Sequence, residues 1–428
     1  MDFKRPPFSD DVSLHLLKDV GVVFDEGAQE LYELNTTATF IWCSLEEGLT
    51  ASDLTKALSD TFSFSAAEAE KHVAETLEGW QNLGLLGDTP PEREKENAQN
   101  ALDKTANNLK KNIKRTFSIF GQNRGSERQR RYRTLGEDTR IHFPSLEIES
   151  LVHPIVSHLE PSSAETRRPS REIEIREGAE GFVIFVDGNE RSRCNAANEV
   201  APLIHFLVFE KGIREENYRA TIHAAAVADG ERALIMPGRP GSGKTSLTAA
   251  LLTEGFQYLT DDFGFLVGDK MELKGLPFSL CIKESGVPTL AEFYPALQDL
   301  AVHHRVRDQK KVRYLTPPQT SFSFDQNRTY PVSWAVFPRY EPDGVTELSL
   351  LPRSEALRRL LQTCKLTRPM TKPQVSCFIQ WLRSLQSYEL KHACLRDGVA
   401  CIKEIFEGPA VATEREGSRE QATQEPQS

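Results

Sequence analysis

The chain has no CxxC pair, no apolar run approaching the roughly eighteen residues that a membrane span needs, and no surplus of basic residues. Its seven cysteines, Cys43, Cys194, Cys281, Cys364, Cys377, Cys394 and Cys401, are scattered and odd in number. That excludes a disulfide framework and a zinc ribbon, and points to a reducing, cytoplasmic setting. The residues after Met1 lead into no apolar h-region, so no secretory signal is expected. With 52 Lys and Arg against 62 Asp and Glu the formal net charge is −10, which argues against a nucleic-acid binder driven by bulk electrostatics. What remains is a soluble-type chain of 428 residues, long enough for about two or three domains.

The most specific feature present is Gly238-Arg239-Pro240-Gly241-Ser242-Gly243-Lys244-Thr245, a full GxxxxGK[ST] pattern. It follows the apolar run Ala233-Leu234-Ile235-Met236 and opens a helical pattern beginning at Ser246. Strand, glycine loop and helix in that order are the context a nucleotide-phosphate site requires. The glycines let successive backbone N–H groups face an anion, Lys244 reaches the β- and γ-phosphates, and the Thr245 hydroxyl is a Mg²⁺ ligand. Residues 238–246 are thus the expected cofactor-binding residues for ATP and Mg²⁺.

Asp261 and Asp262 end an apolar strand seventeen residues after Lys244. In a parallel sheet the strand ends near a phosphate loop face the ligand, so the pair is expected at the site. Phosphoryl transfer needs one carboxylate for the metal and one for the accepting hydroxyl. His223 lies among small apolar residues just upstream, in a setting where a lone histidine most often serves the core.

Around this centre the chain divides into segments. Residues 1–88 read as a small α+β module: three short β-prone runs at 13–17, 20–24 and 29–34, then helices opening at Asn35, Thr50 and Ser65. Thr50 with Asp53, and Ser65 with Glu68, carry the capping-box spacing. The third helix repeats Val73, Leu77, Trp80 and Leu83 on one face. Residues 89–131 form a charged linker; from Lys104 to Arg133 there are ten Lys or Arg and one acidic residue, Glu127. Its apolar residues Leu102, Ala106, Leu109, Ile113, Phe117 and Phe120 recur at helical spacing. Residues 132–219 suggest a small β-rich subdomain, with a hairpin at Asp187-Gly188 and a helix over 196–210. Residues 220–406 form the α/β domain, and the Glu-, Gln- and Ser-rich 407–428 a disordered tail.

Taken together, His223, the 238–245 loop and Asp261-Asp262 resemble the C-terminal domain of HPr kinase/phosphorylase, a bacterial P-loop kinase, and more closely its HprK-related kinase A branch. The resemblance extends through 278–284, 314–318 and 336–341, and covers roughly residues 132–406. It implies an α/β P-loop kinase fold, His223 as the active-site histidine, Asp261 as the base and Asp262 as a metal-side carboxylate beside Thr245. Lys283 and Arg339 also match family positions, as charged residues in apolar strands. The chain has no counterpart of the glycine-rich segment after the Asp pair that goes with dephosphorylation in true HPr kinases, so that activity and HPr as substrate are not carried over. HPr kinases assemble into rings, which makes a homo-oligomer an expectation.

The run Tyr32-Glu33-Leu34-Asn35-Thr36-Thr37-Ala38-Thr39-Phe40-Ile41-Trp42, with the closing Leu83-Gly84-Leu85-Leu86, resembles PqqD-like modules. These winged-helix-like α+β domains hold a leader peptide as an added strand in ribosomal-peptide modification. The implied function is an ATP- and Mg²⁺-dependent kinase acting on a Ser or Thr hydroxyl of a captured peptide. The alternatives are a nucleotide-binding accessory that chaperones a peptide without phosphorylating it, and a small-molecule kinase. The acidic surface of the module, with Asp10, Asp11, Asp19, Asp25 and Glu26, speaks against nucleic acid.

Overall fold

The computed structural model describes residues 8–17, 20–87, 128–134, 137–161, 169–215, 218–321, 328–366 and 369–408. The apolar stripe of the linker and the tail beyond 408 lie outside them.

The N-terminal module is an antiparallel meander of β1 (Val12–Leu17), β2 (Val20–Asp25) and β3 (Glu30–Leu34), followed by α1 (Thr36–Glu46), α2 (Ala51–Phe62) and α3 (Ala66–Asn82). Each helix starts on a side-chain cap: Asn35 accepts from the Ala38 N–H, Thr50 from Asp53 and Ser65 from Glu68. Of the two pairs in this module Ser65 and Glu68 form the reciprocal box, while at the second helix the Thr50 hydroxyl donates to the Asp53 carboxylate at 2.7 Å. Val12, Val23 and Leu34 face the helices, in a core with Ile41, Trp42, Leu54, Val73 and Trp80.

The other face of the sheet is covered too. Leu17, Val22 and Phe24 are buried in a cluster with Val375, Phe378 and Trp381 of a late helix. Burial on both faces explains why β2 reads Val-Gly-Val-Val-Phe rather than alternating apolar and polar. Burying each of these side chains stabilises the junction by about 1.5–3 kcal/mol. Gln29 adds a two-way bond to Met370, its Nε2 donating to the carbonyl at 2.9 Å and its Oε1 accepting the N–H at 2.7 Å.

The middle segment forms a five-stranded sheet in chain order, β4 (Gln129–Thr134), β5 (Glu137–His142), β6 (Arg171–Gly178), β7 (Gly181–Val186) and β8 (Asn189–Cys194). Helix α4 (Leu146–Val156) crosses between the parallel pair β5 and β6, and α5 (Ala197–Glu215) follows β8. The Asp187-Gly188 turn has positive φ at both residues, 51° and 80°, as a two-residue hairpin of the primed type requires. Two expected boundaries move. Strand β4 takes in residues 129–131, assigned to the linker from composition, because Arg130 and Arg131 pair with Glu149 and Asp138 instead of lying in solvent. The core of this sheet also continues through Phe265, Phe278 and Tyr314, so no gap in packing falls at 219/220.

The remaining chain supplies β9 (Ala220–Ile222), β10 (Ala224–Ala228), β11 (Ala233–Pro237), α6 (Lys244–Thr253), β12 (Gln257–Thr260), β13 (Gly264–Val267), β14 (Glu272–Lys274), β15 (Leu280–Lys283), β16 (His303–Arg305) and β17 (Lys310–Leu315). After these come β18 (Val332–Tyr340), β19 (Glu347–Leu350), α7 (Arg353–Leu361), β20 (Cys364–Leu366), α8 (Lys372–Ser384), β21 (Gln386–His392) and α9 (Leu395–Glu407). The six-stranded central sheet has the order β12-β10-β11-β18-β21-β19. It is mixed rather than parallel: β10 runs antiparallel to both β11 and β12, and β19 antiparallel to β21. The inversion of β10 is what assembles the site. β11 and β12 end on the same edge of the sheet where β10 begins, so the glycine loop, the Asp pair and His223 converge there. Among the described residues no helix is long and apolar enough to cross a membrane.

Candidate functional site

The glycine loop leaves β11 at Pro237 and enters α6 at Lys244 with Gly243 as N-cap. No described side chain caps that helix, which leaves its first N–H groups at the loop open to a partner, an arrangement suited to an anion. Gly241 and Gly243 have φ of 95° and 97°. Arg239, Pro240 and Gly241 form the exposed tip, and Ser246 lies half-buried in the first turn of the helix. Lys244 is 6% exposed, and its Nζ donates to the Gly238 carbonyl at 2.7 Å and the Arg239 carbonyl at 3.2 Å. Burial lowers its pKa, while Asp261 and Asp262 act to raise it.

The loop rests on a residue with no signal in the sequence. His392, at the end of β21, is buried beneath it, and a Cβ placed on Gly243 would stand 2.8 Å from its Nε2. Gly243→Ala therefore faces both a positive φ and a ring with no room to give. We expect a stability loss of about 1–3 kcal/mol in thermal melts, and nucleotide affinity reduced about tenfold or more in calorimetric titration.

Asp261 and Asp262 share one turn, closed by the Thr260 hydroxyl donating to the Phe263 carbonyl at 2.8 Å, yet their surroundings differ. Asp261 is 5% exposed and lies beside the Thr245 hydroxyl, the Cys281 backbone N–H and Lys244. Its Oδ1 is buried and has no hydrogen-bond partner among the described residues. Desolvation, reinforced by the Asp262 charge, holds its carboxyl well above the ordinary carboxylate range. Asp262 stands exposed at the mouth, where its Oδ1 accepts from His223 Nε2 at 3.3 Å. Desolvation acts to raise its pKa but is outweighed by His223, Lys244 and Arg305, so the carboxyl sits below its ordinary value. His223 is not a core residue as its neighbours suggest: its side chain is 34% exposed and its ring meets Asp262, while its backbone N–H donates to the Thr363 carbonyl at 2.8 Å.

The two carboxylates are thus unlike: the first is enclosed beside Thr245, and the second is open and paired with His223. Burial decides this, and adjacent residues on one turn offer no sequence clue to which points inward. Arg339 is 65% exposed at the end of β18, with Nε 2.7 Å from Glu341, so it makes no buried ion pair. Lys283 ends β15 close enough to Lys244 to depress its pKa. Arg305, on β16, is a further cation acting on Asp262 that sequence spacing did not single out.

A metal here fits the donor set. Among the described residues no three His, Cys, Asp or Glu side chains cluster as a metal cage. The partnerless Asp261 Oδ1 beside a threonine hydroxyl instead suits Mg²⁺, which takes one or two protein oxygens and completes its shell with phosphate and water.

Fold and site together define an α/β domain with a glycine loop, two unlike carboxylates and a histidine on one sheet edge, joined to a three-strand, three-helix module. Residues 21–86, within that module, match the family of coenzyme PQQ synthesis protein D (PqqD), so the chain carries a PqqD-like domain there. Two solved structures are similar to part of the chain. TbiB1 in complex with the TbiA(β) leader peptide is 23% identical over 19% of this chain and 96% of its own, with a TM-score of 0.19. Lasso peptide synthetase B1 complexed with the leader peptide is 22% identical over 18% of this chain and 92% of its own, with a TM-score of 0.18. No curated protein matches the chain.

Proposed function

We propose that this chain is an ATP- and Mg²⁺-dependent kinase that phosphorylates a Ser or Thr hydroxyl of a peptide held by its PqqD-like domain. The observation that carries the reading is the separation of two adjacent carboxylates, one buried beside Thr245 and one open and bonded to His223, at the mouth of a GxxxxGKT loop. The resemblance to HPr kinase-like proteins in the same residues supports it.

In this reading the 238–243 loop and the uncapped start of α6 hold the phosphates through backbone N–H groups. Lys244 exchanges its carbonyl partners for phosphate oxygens, a change favoured by the burial that now disfavours its charge. Thr245 and Asp261 are the residues that would hold Mg²⁺, and the ion would supply charge neutralisation on the phosphates. Asp262 accepts the proton of the incoming hydroxyl, and the His223 imidazole keeps that carboxylate oriented and ionised until then. As the hydroxyl oxygen bonds to the γ-phosphorus, the bond to the β–γ bridging oxygen breaks and ADP departs.

Peptide delivery is supported by the PqqD-like match and by the sheet itself. β3 pairs with β2 on one side and with no described strand on the other, leaving an edge that an extended peptide can join. Held on the same chain as the catalytic residues, the peptide meets them at an effective concentration that a free substrate cannot reach. The test is intact-mass analysis of peptides encoded beside this chain's gene after incubation with the protein, ATP and Mg²⁺. A phosphorylated peptide with wild-type protein and none with Lys244→Ala supports the reading; no phosphopeptide with either overturns it.

A further inference from the structure

Where the PqqD-like sheet meets the α/β domain there is a groove of about 310 Å³. One wall is the outer face of the sheet, Val22, Leu31 and Glu33, and the other is helix α7 with its C-cap, through Leu357, Arg358, Leu361 and Gln362. Leu361 is 37% exposed, an apolar side chain left uncovered in an otherwise packed junction. We propose that this groove is a specificity pocket for the captured peptide, built jointly by the two domains, and that it takes a large apolar side chain flanked by an acidic residue.

The inference deepens the peptide-capture reading above and rests on it. Successive side chains of a strand point to opposite faces of its sheet. A strand added to β3 would therefore direct every second residue to the side of Tyr32 and Leu34, towards the module's own helices, and the residues between to the side of Leu31 and Glu33. On that second side lies α7 of the other domain. The apolar lining of Val22, Leu31, Leu357 and Leu361 fits a Leu-, Ile- or Phe-sized group. Arg358, on the exposed rim and bonded among the described residues to Glu355 of its own helix, offers a cation to an acidic neighbour on the peptide.

The placement of α7 gives such a pocket a use. Two residues beyond its end, the Thr363 carbonyl accepts the His223 backbone N–H, and β20 then pairs with β9, which leads into His223. One short segment thus borders both the peptide groove and the catalytic mouth.

The test uses the full-length protein and a displayed library of random twelve-residue peptides. Wild type is expected to enrich sequences with apolar residues at alternating positions and an acidic residue beside one of them. Leu361→Glu puts a carboxylate into the groove and is expected to erase the apolar preference at alternate positions on one face only, with affinity for wild-type-selected peptides weakened about tenfold or more. Arg358→Glu, at an exposed site, is expected to replace the acidic preference by a basic one. Unchanged profiles in both variants, with wild type enriching peptides, overturn the shared pocket while sparing peptide capture. If wild type enriches nothing, the groove serves another occupant, a segment of this chain or a second copy, and both readings fall.

Discussion

Asp262→Asn is expected to slow phosphate transfer about 10²–10⁴-fold while leaving Mg²⁺–nucleotide affinity within about threefold. The asparagine keeps the shape of the side chain and a hydrogen-bond partner for His223, but cannot take a proton from an incoming hydroxyl. Because Asp262 is exposed at the mouth and paired with His223, its loss is expected to remove an interaction made in the transition state rather than in the nucleotide complex. Single-turnover transfer rates set beside equilibrium nucleotide titrations separate the two effects. Equal loss of binding and rate would place Asp262 on the metal instead.

Asp261→Asn is expected to do the converse. Removing the buried carboxylate beside Thr245 should weaken Mg²⁺-dependent nucleotide binding about 10–100-fold, with Mg²⁺-free binding little changed. A pH signature goes with it. Desolvation and the neighbouring Asp262 charge hold the Asp261 carboxyl above its ordinary range, so in the metal-free protein it keeps a proton to higher pH than an unfolded carboxyl does. Only the ionised form binds a cation, so Mg²⁺–nucleotide affinity should rise with pH through that raised range and binding should release a proton. Stability has the opposite sign. A folded-state pKa above the unfolded one contributes stability that is fully present below the unfolded value and lost as pH rises through the folded value. The metal-free wild type should therefore lose stability as pH climbs past the ordinary carboxylate range, and Asp261→Asn should flatten that slope. Calorimetry in buffers of different ionisation enthalpy measures the proton release, and thermal melts across pH measure the slope.

Local signals carried far in this chain. Asn35, Thr50 and Ser65 cap the helices they were expected to open, and Asp187-Gly188 makes its primed turn, because both features depend on residues within a few positions. The glycine loop lies between an apolar strand and a helix as its pattern requires. What could not be read depended on distant partners. The second buried face of β2 exists because α8, some 350 residues later, packs on it. The inverted β10 that brings His223 to the Asp pair is a matter of strand order, to which hydrophobic pattern is blind. His392 lies under the loop only because β21 ends beside it, and the unlike burial of Asp261 and Asp262 follows from what surrounds one turn in three dimensions.

The most direct measurement of the central claim is transfer of labelled γ-phosphate from ATP to a peptide that binds the PqqD-like domain, followed with wild type, Asp262→Asn and Lys244→Ala side by side. The expected result is one phosphoryl group on a Ser or Thr of the bound peptide with wild type, and little or none with either variant. A peptide that binds tightly, in the presence of ATP and Mg²⁺, and gains no phosphoryl group from wild-type protein would contradict the claim that this chain is a kinase.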